Sequence, residues 1–88
     1  MSDRHTIIFG TGSYGKIALD IIGKEQIAFF ADNDKVRWGE RIKGIEVISL
    51  DELYNSYSRY RIVIAIKGEA ADSVRNQLEE KGIYHAMP

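Results

Sequence analysis

The stretch Gly10-Thr11-Gly12-Ser13-Tyr14-Gly15 lies between an apolar run, Thr6-Ile7-Ile8-Phe9, and the segment Lys16-Ile17-Ala18-Leu19-Asp20-Ile21-Ile22. It reads as strand, glycine turn and helix. A bare G-x-G-x-x-G motif carries little weight, but one placed between a buried strand and an amphipathic helix is the fingerprint of a dinucleotide-binding fold. Gly10 permits the tight turn, Gly12 lets the backbone approach a pyrophosphate, and Gly15 lets the helix pack closely on the strand. The helix N-terminus then turns free N–H groups and the positive end of its dipole toward the phosphates. The alternative is that these glycines only make a tight strand-to-helix turn in a domain that binds nothing.

Length limits what can follow such a turn. A chain of 88 residues makes one domain over 1–88, at most a little over half of a six-stranded dinucleotide-binding domain, and it reads as one part of a longer polypeptide. A composition of 44% hydrophobic and 28% charged residues is that of a soluble globular protein. The net charge of −1 leads to the expectation that nucleic acid is no partner. The absence of cysteine excludes a disulfide framework, a thiolate nucleophile and a Cys-based zinc site. The N-terminus is polar and no apolar run approaches the length of a membrane span, so a cytoplasmic location is expected.

Along the chain, Ile17, Ala18, Ile21 and Ile22 with Tyr14 form a stripe at helical spacing that is expected to face the sheet, with Gly23 ending the helix. The segment 26–31 is a near-continuous apolar run, as in a strand covered on both faces. It leads into Asp32-Asn33-Asp34. A dinucleotide fold places at this distance the carboxylate that accepts hydrogen bonds from ribose hydroxyls, and Asp32 is the candidate. A carboxylate there disfavours a 2′-phosphate, so NADP is a poorer ligand than NAD. The same three residues also suit a simple turn.

The segment 35–44 reads as a loop. Arg37, Arg41 or Lys43 could reach a phosphate from it, and Trp38 either packs the loop down or stacks on a base. A short edge strand is expected over 45–48, followed by a helix opened by a capping box at Ser49 and Glu52. Tyr54, Tyr57 and Tyr60 look like a half-buried helical face without chemistry. The run 61–66 is a second buried strand, followed by Lys67 and Gly68 and a helix with Ala71, Val74 and Leu78 inward. A fifth strand is expected over 83–86. These elements predict a Rossmann-like α/β fold with a mainly parallel sheet of about five strands, in order 3-2-1-4-5, with helices on both faces. Ile7, Phe9, Ile27, Phe29, Ile62 and Ile64 are its expected core. Lys67 and Gly68 should wall the crevice opposite the glycine turn.

Chemistry beyond binding is not visible. No tyrosine is followed four residues later by lysine, the pair that short-chain reductases use, and His5 and His85 have no neighbouring ligand set. No catalytic or metal-binding residue is assigned, and the chain by itself is not expected to be a complete enzyme.

The runs 8–15, Phe30-Ala31-Asp32-Asn33-Asp34, Trp38-Gly39, 44–48 and Asp51-Glu52-Leu53 together resemble the short Rossmann-like domain of bacterial surface-polysaccharide enzymes. That group includes nucleotide-sugar acyltransferases, nucleotide-sugar dehydratases and glycosyltransferase or methyltransferase polypeptides. The resemblance implies a UDP-sugar or NAD in the pocket, held by Gly10, Thr11, Gly12, Ser13, Tyr14, Gly15, Asp32 and Asn33. It also implies a covalently linked catalytic domain; a homodimer is the other expected partner. Acyltransferase members often carry histidine where Tyr14 stands. A degenerate domain that serves only for spacing or dimerisation is the other reading.

Overall fold

The computed structural model describes residues 4–88. Its centre is strand β1 (Thr6–Phe9), all four residues of which are buried, flanked in parallel by β2 (Ile27–Ala31) and β5 (Arg61–Ile64). Beyond β2 lie β4 (Ile45–Ile48), also parallel, and the two-residue β3 (Arg41–Ile42), giving the order β3-β4-β2-β1-β5. The mainly parallel α/β architecture expected from the sequence is therefore present. The four expected strands 6–9, 26–31, 45–48 and 61–66 stand in the expected relative order.

Alternation along the central strands divides the core into two layers. On one face Ile7, Phe9, Ile62 and Ile64 pack with Leu53 of helix α2 (Leu50–Ser56) and with Val74 and Leu78 of α3 (Glu69–Glu80). On the other, Ile8, Ile27, Phe30 and Val47 pack with Leu19 of α1 (Ser13–Ile22). The link from β1 to β2 and the link from β4 to β5 run in opposite directions across the sheet. Right-handed crossovers therefore put α1 and α2 on opposite faces. The reversal falls between β1 and β5 and opens a crevice at their C-terminal ends.

Three expectations are corrected. The stripe of α1 turned to the sheet is not Tyr14, Ile17 and Ile21, which are exposed; the buried helical residues are Gly15 and Leu19, with Ala18 and Ile22 partly buried. Gly15 sets this rotation because its Cα sits against the Gly10 carbonyl, and Ala18, Leu19 and Ile22 follow it at three, four and seven residues. The expected strand over 83–86 shrinks to a single parallel bridge between Met87 and Val63. Arg75 donates to the Ala86 carbonyl at 3.2 Å and the His85 ring lies 3.0 Å from the Tyr60 carbonyl, so side chains engage this segment instead of a ladder. Phe29, expected in the core, is only partly buried, with its ring 4.6 Å from that of Tyr57.

The segment expected to be a loop carries β3, joined to β4 by Lys43 and Gly44. Both have positive φ, 51° and 85°, as a two-residue type I′ hairpin turn requires. Helix α2 begins as the capping box predicts, with the Ser49 hydroxyl accepting from the Glu52 N–H at 3.0 Å. Ser49→Ala should cost about 1 kcal/mol, and thermal denaturation should show a midpoint lower by roughly 4–8 °C.

Candidate functional site

The crevice between β1 and β5 is a cleft of about 370 Å³ lined by Gly10, Thr11, Gly12, Ser13, Tyr14, Asp32, Ala65, Ile66 and Lys67. The three glycines play different parts in it. Gly10 has φ +126°, and a Cβ there would come within 2.5 Å of the Ala65 carbonyl oxygen. A Cβ on Gly15 would overlap the Gly10 carbonyl oxygen. Both are dictated by backbone packing between the turn, β5 and α1.

Gly12 is different. It is extended, with φ −81° and ψ −157°, and a Cβ built on it would meet nothing within 4 Å. Neither backbone strain nor a neighbouring protein atom requires glycine there, while the space before it is the cleft. Gly12 is also the N-cap of α1. Among the described residues no side chain caps that helix, and its first turn carries no acid. Helix α2, by contrast, caps itself with Ser49 and has Asp51 and Glu52 in its first turn. The start of α1 is thus left with N–H groups facing an open cleft, an arrangement suited to an anion.

Asp32 faces this turn across the cleft. Its Oδ2 accepts from the Thr11 hydroxyl at 2.7 Å and its Oδ1 from the Asp34 N–H at 2.9 Å. Thr11 is only 6% exposed, so the hydroxyl is a buried tie between the glycine turn and the end of β2. A carboxylate has about four acceptor positions, and two of these are occupied, leaving capacity for a ligand diol. The turn reading and the cleft reading of Asp32-Asn33-Asp34 therefore coexist: Asp34 also caps the 3₁₀ turn Lys35–Arg37 through the Val36 N–H.

The remaining candidates divide. Ser13, Tyr14 and Lys67 line the cleft, and Lys67 brings a positive charge to the wall opposite the glycines. Gly68 stands one residue beyond the wall as the N-cap of α3, with φ +67°. Asn33 turns from the cleft and donates to the Gln77 side chain at 2.7 Å. Of the basic loop residues, Arg37 pairs with Glu40, Arg41 donates to the Gly44 carbonyl and Lys43 lies 3.9 Å from Asp20; none of the three lines the cleft. Ala65 and Ile66 were not singled out from the sequence as site residues. They line the cleft because β5 ends at Ile64, two residues before its apolar run does. Among the described residues there is no group of three or more His, Asp or Glu side chains that could hold a metal ion.

A profile of C2185-like, N-terminal domains matches residues 2–87. The chain belongs to the C2185-like, N-terminal family. No curated protein sequence matches it. Similar folds occur in RSP, a Rex-family repressor, with 20% identity, a TM-score of 0.69 and coverage of 93% of this chain and 43% of that one. The complex of RSP with β-NAD⁺ and operator DNA matches at 23% identity and a TM-score of 0.66, covering 91% of this chain and 40% of that one. UDP-D-quinovosamine 4-dehydrogenase from Vibrio fischeri matches at 18% identity and a TM-score of 0.71, covering 98% of this chain and 79% of that one. At these identities the likeness is one of fold.

This chain spans about two fifths of the RSP chains. The expectation that nucleic acid is no partner is corrected by RSP, a structure of this fold solved on operator DNA. Net charge describes only the domain that carries it and says nothing of the rest of a longer chain. Among the described residues no helix is long and apolar enough to cross a membrane.

Proposed function

We propose that this domain is a nucleotide-binding module, taking the diphosphate of a UDP-sugar at the glycine turn, within a cytoplasmic enzyme of surface-polysaccharide biosynthesis. Residues 1–88 are one domain of a longer polypeptide on this reading, and they orient a ligand without turning it over. The observation that carries the proposal is Gly12: a glycine that its own backbone does not need, at an uncapped helix start, open to a cleft with Asp32 on the far side. Gly10, Gly12, Ser13 and Tyr14 would surround the diphosphate, Asp32 would accept from the ribose diol, and Lys67 would supply counter-charge. The fold shared with a UDP-sugar dehydrogenase supports this reading. NAD is the second reading, favoured by the RSP complexes with β-NAD⁺ and β-NADH.

A thermal-shift panel of UDP-sugars, NAD, NADP and CoA separates these readings. A ligand at 100 times its Kd stabilises by about 2.7 kcal/mol, and each kcal/mol moves the midpoint of so small a domain by roughly 4–8 °C. The expected result is a shift of 10 °C or more with a UDP-sugar, a smaller shift with NADP than with NAD, and none with CoA. Asp32→Ala should reduce the nucleotide response. A selective NAD response would favour the second reading. A flat panel would instead favour a spacer or dimerisation domain, whose contact face would be the exposed Tyr14, Ile17 and Ile21 of α1.

A further inference from the structure

A smaller cleft of about 230 Å³ lies over the ends of β2 and β4, lined by Asn33, Trp38, Ser49, Leu50 and Asp51. We propose that it is the base subsite, with the planar base of the bound nucleotide lying on the Trp38 indole. This rests on the nucleotide-binding reading and extends it to residues that the glycine motif does not include.

Trp38 is held by its polar edge. Its Nε1–H donates to the Asp32 carbonyl at 2.7 Å, and its backbone N–H donates to Lys35 at 3.2 Å. The next residue, Gly39, is clipped to Val47 of β4 at 2.9 Å. Yet the side chain is not buried, since the residue is 44% exposed. A tryptophan that serves only to fasten a loop covers its ring, because the large apolar area is what stabilises. Here the ring is fixed in orientation and left open on a cleft.

The order of parts along the sheet edge matches the order of groups in a nucleotide. The strands run β4-β2-β1, with the glycine turn at the end of β1, Asp32 at the end of β2, and the Trp38 cleft over the ends of β2 and β4. Two strand spacings, about 10 Å, separate the first from the last. Phosphate, ribose and base would follow in that sequence. Asp32 links all three stations, its side chain to Thr11 and its carbonyl to Trp38. A ribose seated on Asp32 with its phosphates on Gly12 has its base directed to the other side of β2, where Trp38 stands.

Trp38 is the sole tryptophan of the chain, so its emission reports the subsite directly. The protein is titrated with UDP, NAD and inorganic pyrophosphate, with calorimetry and tryptophan fluorescence read on the same samples. Quenching by UDP or NAD should saturate with the calorimetric isotherm, while pyrophosphate should bind or compete without quenching. Trp38→Ala should weaken nucleotide binding about tenfold, in line with the usual loss of an aromatic base platform, and leave pyrophosphate binding unchanged. Trp38→Phe keeps a stacking face and should retain most of the affinity. Whichever of UDP and NAD quenches identifies the base. Nucleotide heats with unchanged emission, and equal affinity in the alanine variant, would overturn the base subsite while leaving the nucleotide reading intact. Absence of heat with every nucleotide would overturn both.

Discussion

Replacing Gly12 with valine should leave the domain folded and abolish its nucleotide response, whereas replacing Gly10 with alanine should cost much of the fold. At Gly12 the backbone is extended and an added side chain meets nothing within 4 Å. The expected cost is that of a poorer N-cap, up to about 1 kcal/mol. The same side chain would fill the space where the diphosphate should approach. At Gly10, φ is +126° and the Cβ would press on the Ala65 carbonyl and the Ile66 side chain. Backbone strain of about 1–3 kcal/mol adds to overpacking of about 1–3 kcal/mol. An 88-residue domain has a total stability of only about 4–13 kcal/mol. Thermal denaturation should therefore show a midpoint lower by at least roughly 10 °C for Gly10→Ala, and a far smaller change for Gly12→Val. Calorimetry with a UDP-sugar completes the test. Undiminished binding by Gly12→Val would remove the principal support for a ligand at the glycine turn.

The second large effect is expected at Phe30, which is fully buried between Ile8, Leu19 and Val47 and reaches beneath the glycine turn. Its Cε1 lies 3.6 Å from the position a Gly15 Cβ would take, so the ring is the floor on which the start of α1 rests. Among the described residues, α1 is the one α-helix that contributes to this layer, through buried Leu19 and partly buried Ala18 and Ile22. Phe30→Ala should cost about 3–5 kcal/mol, a midpoint drop of roughly 12 °C or more by differential scanning calorimetry. The ring also sits under the turn, so nucleotide affinity measured well below the midpoint should fall too. Phe30→Leu, which keeps most of the volume, should restore a large part of both. A loss of stability with fully retained affinity would show that the turn does not depend on this layer for its shape.

Strand, glycine turn and helix were legible from the sequence because each depends on a local rule. Three apolar residues before Gly10, five in a row over 27–31 and five more over 62–66 are satisfied as buried strands in a chain this short. Glycine where φ is positive is a property of one residue. Ser49 three residues before Glu52 caps a helix wherever that helix lies. The candidate cleft was legible in part: that the glycine turn and Asp32 line it follows from spacing along consecutive elements. The Lys43-Gly44 hairpin was also visible in principle, as a residue-glycine pair between Ile42 and Ile45, but ten mostly polar residues around it read as a loop.

Tertiary contacts decided the rest, because they join residues far apart along the chain. The face that α1 turns inward was set by Gly15 meeting the Gly10 carbonyl, not by the apolar stripe at Tyr14, Ile17 and Ile21, which helical periodicity alone would have buried. Asn33 was drawn out of the cleft by Gln77, 44 residues away. The last segment kept one bridge to β5, at Met87, while the His85 ring lies 3.0 Å from the Tyr60 carbonyl, 25 residues away. Trp38 found the Asp32 carbonyl while keeping its ring exposed. The sequence by itself determined where the backbone must bend and which strands must be buried, since sterics and apolar runs act over a few residues. Which side chains share a cleft is set by packing across the sheet, and only the folded chain determines that.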